Sequence, residues 1–403
     1  MSVRKERVKA CASGGPSLSF ENSLHLLNLN DDIHLVSLSG SQPAVDVASR
    51  WQETQRPGAQ VVLVLDIRDH RWTEFVARNP RALPYHHPAW AGLLAECYRF
   101  RPMAVVNVDG SGQVTGGLPV LELGMPWRAR RWVSLPFTDY CPPLVAPPGA
   151  AHDLVAELGI ARRAAGLERI EVRADLKGGG AYQNQHTAWM HTLALGPDPS
   201  EVFRSFHRSQ VQRNIARAER SGVSVRIGTS AAALVEDFYG LHVQTRRRLG
   251  VPVQPRRFFT LLWQRFIRPG LGLVLVAYAD ETPVAAAVFL TWNGTIIYKY
   301  GASDEAAWPQ RPNHLIFWTA IRWGCENGYH SFDFGRTDRE SHSLRQFKRY
   351  WGTQEHELAY SVVADRPPPT SRGHLSRGLG AVIRRSPPMV CRIAGELLYR
   401  YAA

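Results

Sequence analysis

The stretch that most constrains what this chain can fold into runs from Ile296 to Gly352. Ile296 to Tyr300 is β-branched and aromatic, which suits a pleated strand, and Gly301 with Asp304 marks its end. Pro312 has the fixed φ of a first helical turn, and Leu315, Phe317, Trp318, Ile321 and Trp323 recur at helical spacing up to Asn327-Gly328. Ser331 to Phe334 reads as a second short strand. Beyond Gly335 comes a polar loop, then a helical face of Leu344, Phe347 and Trp351 with Arg345, Lys348 and Arg349 beside it. A helix that starts just after a strand turns its free N–H groups and positive dipole end toward that strand's C-terminal edge, a seat for phosphate or carboxylate. Gln310-Arg311-Pro312-Asn313 occupies this start, and Arg336 and Lys348 follow closely enough to converge on one anion. Taken singly, Lys348 reads as a surface cation; only the grouping singles it out.

The 403 residues leave room for two or three domains, and a composition 44% hydrophobic and 21% charged is that of an ordinary globular protein. No apolar run approaches the roughly 18 residues of a membrane span. The basic start MSVRKERVKACASGG has no apolar core behind it, so no secretory signal is expected. Five cysteines at wide, unpatterned gaps exclude CxxC metal spacing and argue for a reducing compartment, hence the cytoplasm. Tyr85-His86-His87-Pro88 lacks acidic or cysteine ligands nearby, and adjacent histidines point apart, so no metal is expected.

The net charge of +13 is unevenly placed. Residues 1–60 carry six cations and six carboxylates and cancel. Residues 366–403 carry seven arginines against Glu396, and residues 204–226 carry six against Glu219. Such fields recruit phosphates, nucleic acid or acidic lipid, and charge alone does not choose among them.

Taken in order, residues 1–60 read as a poorly ordered extension. A first unit over 61–180 opens with the strand Val61–Asp66, then helices from Trp72 and Ala89. A hairpin across Asp109-Gly110-Ser111-Gly112, a strand at Trp132, a helix over 151–165 and the strand RIEVR follow. Lys177 to Ala181 (KGGGA) is a linker, because no Lys-Ser/Thr pair follows to make it a phosphate loop. A second unit spans 181–365. Ser200 is the expected N-cap of a basic helix in which Arg204 with Arg208, and Arg213 with Arg217, share faces. That row is nearly all of one sign, which favours an anion site led by Arg213 for a nucleotide diphosphate or coenzyme phosphate. Antiparallel strands at 273–279, 284–291 and 296–300 follow, with regular alternation placing Tyr298 and Tyr300 on one face and Lys299 on the other. The tyrosine pair either lines a substrate tunnel or packs with satisfied hydroxyls. The tail, 366–403, forms basic amphipathic segments (Leu375, Leu379, Val382, Ile383, then Val390 to Tyr401) that lie on an anionic membrane or pack on the protein.

The combination YKYGAS, RPNHLIFWTAIRWGCENGY, FDFGRT and LRQFKRYWG resembles the C-terminal half of the FemABX-like (BioF2-like) acyl and aminoacyl transferases of the GNAT superfamily. PYHHPAW and SLPFTDYCPPL resemble the N-terminal half, so the likeness covers about residues 60–365. It implies an α+β chain of tandem GNAT-like domains, each a mixed, mostly antiparallel sheet flanked by helices, with the donor site in the second and the acceptor in a groove between them. It implies no tightly bound cofactor, an acyl-CoA or aminoacyl-tRNA donor, and an amine of an anionic envelope precursor, of peptidoglycan or polysaccharide, as acceptor. Lys348 matches the cation that stabilises phosphate or the reacting acyl centre, with Tyr300 beside it. Arg311 and Asn313 would bind the donor's phosphate end, and Arg213, Tyr298, Arg247 and Arg336 would bind substrate. Asp139 and Tyr140 either face the acceptor groove or shape a proline-flanked turn, and Asp333 reads as structural. tRNA-using members carry a long helical arm in the second domain; its absence here favours acyl-CoA. An enzyme at the inner face of the membrane is thus expected, against two non-enzymatic alternatives, a nucleic-acid-binding protein and a membrane-surface adaptor.

Overall fold

The structure, a computed structural model, describes residues 61–125, 128–146, 154–176, 181–183, 188–367, 380 and 383–399. The expected N-terminal extension, most of the KGGGA linker and, apart from buried Ile383, the first apolar stripe of the tail lie outside these residues.

The first unit begins with β1 (Val61–Asp66), α1 (His70–Arg78) and α2 (Pro88–Tyr98). Asp69 caps α1 by accepting the Arg71 N–H, and Pro88 opens α2. The strands β2 (Arg101–Val108), β3 (Val114–Met125), β4 (Arg128–Val133), β5 (Leu144–Val145) and β6 (Arg169–Val172) follow, with α3 (Leu154–Ala164) before β6. Their sheet runs β1-β2-β3-β4-β6 and is completed by two strands from farther along the chain, β15 (Ser361–Ala364) and β7 (Ala181–Gln183). Both lie in the stretch that the sequence groups with the second unit. They are only a few residues long, and the long-range pairings of β15 with β6 on one side and with β7 on the other give no local signal.

The second sheet runs β14-β8-β13-β12-β11-β10-β9. Its members are β8 (Ala188–Ala194), β9 (Ser224–Ile227), β10 (Gly272–Ala279), β11 (Thr282–Trp292), β12 (Thr295–Ser303), β13 (Ser331–Asp338) and β14 (Gln354–Leu358). The turns joining β10, β11 and β12 place Asp280, Glu281, Asn293 and Gly294 at positive φ, as two-residue hairpins require. The β13 strand continues past the expected end at Phe334, so Arg336 sits within it rather than in a loop.

The basic segment differs from one continuous helix. Asp198 is the N-cap and accepts the Ser200 N–H, so Ser200 is the second helical residue of α4 (Pro199–Ser205). Phe206 is extended at ψ 146°, which ends α4 before a π-helical turn (Arg208–Gln212) leads into α5 (Arg213–Arg220). Arg204 and Arg208 therefore do not share a face. A π-turn over Ala233–Phe238 leads into α6 (Tyr239–Leu249), and α7 (Arg256–Leu262) follows.

The helix α8 (Pro312–Glu326) starts as its proline predicts, and α9 (His342–Arg349) carries Leu344, Phe347 and Lys348 on its buried side. One apolar core joins α1, α2 and the first sheet to α6, α7 and one face of the second sheet; the other face packs under α5, α8 and α9. The units also meet through Trp90 against Phe258 and Phe266, and through the Asn293 amide, which donates to the Asn79 and Ala82 carbonyls.

The described part of the tail packs on the protein. In α10 (Pro388–Leu398) Cys391 is buried against α6, and Tyr399 stacks on Tyr98 and Phe137. Gly395 lies so close to the Val253 carbonyl that a Cβ would not fit. Among the described residues no helix is long and apolar enough to cross a membrane.

Candidate active site

The second sheet has one parallel pair, and it is short. β12 and β13 pair only from Thr295–Ser331 to Ile297–Asp333. Beyond that point β12 stays with β11 and β13 stays with β8, so the two strands part and open a wedge. Each carries an irregularity where the wedge begins, at Lys299 in β12 and at Phe334-Gly335 in β13. Bulges of this kind re-aim side chains.

Lys348 reaches the wedge from α9. It is 1% exposed, and its Nζ donates to the carbonyls of Gly335 at 2.8 Å and Arg336 at 2.9 Å. These two bonds leave one of its three protons uncommitted. Burial pushes its pKa below the usual lysine range, against the pull of Asp333, Asp139 and Asp338. Asp333, 8% exposed at the last paired position of β13, accepts the Gly335 N–H at 2.7 Å. Burial raises its pKa, and the Asp139 carboxylate adds to the rise.

The opposing wall is the first unit's segment from Ser134 to Pro142. Asp139 Oδ2 lies 3.5 Å from Lys299 Nζ, and the Asp139 carbonyl accepts the Tyr360 hydroxyl at 2.8 Å. His86 holds the far end of this segment. Its Nδ1 accepts the Leu83 N–H, so its Nε2 carries the proton donated to the Pro142 carbonyl at 2.7 Å. His87 caps α2 by accepting the Ala89 N–H on its side chain, and no His/Cys/Asp/Glu group suited to a metal occurs among the described residues.

The expected site residues divide. Lys348, Asp139, Arg336 and Tyr300 come together around the wedge. Arg336 pairs with Asp338 at 2.7 Å, and its guanidinium faces the Tyr360 ring at 5.7 Å. Tyr140 is half-buried against Tyr360 and its neighbours. Tyr300 and Tyr298 do not share a face. The irregularity at Lys299 turns Tyr300 toward Phe258 and His242 on the first-unit side, whereas Tyr298 packs on Phe289 and Phe317 on the other. Regular alternation fails because Lys299 is an extra residue opposite β11.

Arg311 and Asn313 form a second, neighbouring group. Arg311 starts α8 at φ 62°, and its Nε, Asn313 Nδ2 and His314 Nδ1 are buried without partners. A buried donor left unpaired costs about 1–3 kcal/mol, which a ligand oxygen would recover. His314 joins this group to α9 through Phe347 and Trp351, and Asn214 of α5 touches it at 3.5 Å. Arg213, next to Asn214, is exposed. Arg247 lies apart, donating to the Ser386 carbonyl just before α10.

Sequence reasoning passed over Lys299, Tyr85, Trp90 and Tyr360. It also read Asp333 as structural, although the structure buries it beside Lys348. For Lys348 a signal was present, since it follows Leu344 by four residues and so shares its buried face.

Comparison with known proteins agrees with this architecture. Residues 205–349 match the family described as Acetyltransferase (GNAT) domain. The lipid II:glycine glycyltransferase of Staphylococcus aureus is 32% identical over 76 residues, which cover 17% of this chain and 18% of that protein. The chain thus matches under a fifth of the length of that curated relative. The crystal structure of FemX superposes with a TM-score of 0.62 at 16% identity, covering 80% of this chain and 100% of that one. The structure of L-PGS from Bacillus licheniformis superposes at 0.50 with 12% identity, covering 82% and 98%. At such identities the superpositions establish the fold, two mixed, mostly antiparallel sheets flanked by helices.

The buried histidines give a pH prediction. Burial pushes the pKa of His86 down to about 4 and those of His242 and His314 to about 3. Each contributes stability that is complete above the unfolded value near ~6.5 and is lost as pH falls through that value toward the folded one, about 2 kcal/mol apiece at pH ~5. Burial raises the pKa values of Asp333 and Asp338, which act in the opposite sense, and lowers those of His87 and His191, which act with the three histidines. Urea unfolding should show a lower midpoint at pH 5 than at pH 7.5; equal midpoints would contradict the buried neutral assignment.

Proposed function

We propose that the chain is a FemABX-like transferase of the GNAT superfamily and that it moves an acyl or aminoacyl group onto an amine of a cell-envelope precursor. The observation that carries this reading is the wedge between β12 and β13, with a buried lysine and two carboxylates at its mouth. The amine nitrogen bonds to the carbonyl carbon, the C–S bond of a thioester or C–O bond of an ester breaks, and the leaving group takes a proton. The amine's own proton passes to a carboxylate or to water. Asp333, with its raised pKa, suits that acceptor role, and the free proton of Lys348 suits the developing oxyanion.

Acyl-CoA is the favoured donor. Among the described residues the longest helix of the second unit is α8, with 15 residues, so none forms a long inserted arm. Arg311 and Asn313, with their unpaired nitrogens, and exposed Arg213 are the groups proposed to meet donor phosphates. The named action of the Staphylococcus relative on lipid II supports an envelope acceptor, as an amine of a peptidoglycan or polysaccharide precursor. A transfer assay should pair acetyl-CoA, longer acyl-CoAs and aminoacyl-tRNA in turn with muropeptide and amino-sugar acceptors. One donor should give product, and Lys348→Met should lower kcat/KM on the order of 10²-fold or more. No transfer from any donor, with salt-sensitive binding to generic RNA or DNA, would overturn the proposal.

Peripheral contact with the inner face of a membrane is part of the same reading. The outer side of α10 exposes Met389 and Ile393, flanked by Arg385 and Arg392, while its other side is packed. Flotation with anionic vesicles should recover the protein, and Met389→Ser with Ile393→Ser should abolish recovery. Absence of the wild type from the vesicle fraction would contradict membrane contact and leave the transfer reaction untouched.

A further inference from the structure

Lys299 is a buried cation whose place neither the sequence pattern nor the transfer chemistry accounts for. It is 2% exposed and sits on the irregularity of β12. Its Nζ donates to the Phe137 carbonyl at 2.6 Å and lies 3.5 Å from Asp139 Oδ2, both in the first unit. It also lies over three ring faces, Tyr85 at 5.3 Å, Trp90 at 5.8 Å and Tyr300 at 5.5 Å. An aliphatic side chain would fill that cage without the cost of burying a charge, so the charge is retained for what it touches.

What it touches is a strained segment. Leu135 and Phe137 both adopt positive φ, at 62° and 61°, which side chains with a Cβ rarely accept. Such conformations persist where the surroundings over-determine them. Here the Trp90 indole donates to Thr138 Oγ1, Cys141 N–H donates to the Arg173 carbonyl, and Lys299 takes the Phe137 carbonyl between them. The same ammonium offsets the Asp139 charge, which faces Asp333 across the wedge.

We propose that Lys299 is a positioning residue that locks the Ser134–Cys141 segment of the first unit onto the second and sets the charge balance of the Asp139 and Asp333 carboxylates at the wedge. The proposal rests on the transfer reading for its purpose, but its geometry does not. The titratable and charged groups facing this point are Asp139, Tyr85 and Cys141 from the first unit and Tyr300, Asp333 and Lys348 from the second.

The test uses the full chain without substrate. Protein labelled with 13C at the aspartate carboxyl is titrated by NMR, with Asp333→Asn assigning the Asp333 signal. In Lys299→Met the Asp333 carboxyl signal should titrate higher than in the wild type, because a nearby positive charge is lost, and amide exchange over residues 134–142 should rise at least tenfold. Lys299→Arg should restore the titration by returning the charge. If the Met variant does not fold, Lys299→Gln is read in the same way. Titrations that superimpose in wild type and neutral variant would overturn the proposal, even with faster exchange, because that outcome is a packing role alone. Failure of the transfer reading looks different, as a wild type inactive with every donor whose Asp333 carboxyl still responds to Lys299.

Discussion

The structure depends on the place where β12 and β13 stop pairing. Two strands that share a sheet and then diverge expose backbone groups that must find other partners. The Gly335 and Arg336 carbonyls, on the diverging side of β13, are taken by the Lys348 ammonium from α9. That bond explains why a lysine is buried here at all. Removing it would leave two carbonyls and a carboxylate in a nearly dry place, where an unmet charge costs several kcal/mol.

The second constraint is that neither unit closes this site alone. Asp333 and Lys348 come from the second sheet and its helix, and Asp139 comes from a strained segment of the first. Phe258, Phe266, Trp90 and Tyr98 make the contact between units apolar and continuous, and the short strands β7 and β15 carry the later chain back into the first sheet. The arrangement suits a reaction in which donor and acceptor approach from different sides. Proximity then supplies much of the catalysis, and the side chains need only manage one proton and one developing charge.

Much of the architecture could be read from residue order. Asn293-Gly294 and Asp280-Glu281 announce hairpins because few residues accept positive φ, and Pro312 announces α8 because its φ is fixed. The resemblance in YKYGAS, FDFGRT and QFKRYWG reached the paired units and Lys348. What stayed hidden depends on single-residue irregularities and on distance. The side chains around Lys299 look regular in sequence, and only the bulge shows that Tyr298 and Tyr300 diverge and that the lysine turns to the first unit. The resemblance offered Arg247 as a substrate residue, and no local pattern shows that its Nε donates to Ser386, 139 residues away. The break at Phe206 likewise divided one basic pattern into two helices.

The central claim is that reacting groups meet in the wedge, and a crystal structure with a bound donor tests it most directly. Crystals soaked with an acyl-CoA or with a short aminoacylated RNA mimic should show the reacting carbonyl between β12 and β13, its oxygen within hydrogen-bond reach of Lys348. Asp333 and Asp139 should face the open side from which an amine would arrive. A donor seated elsewhere, with the wedge unchanged and Lys348 bonded only to Gly335 and Arg336, would contradict the account.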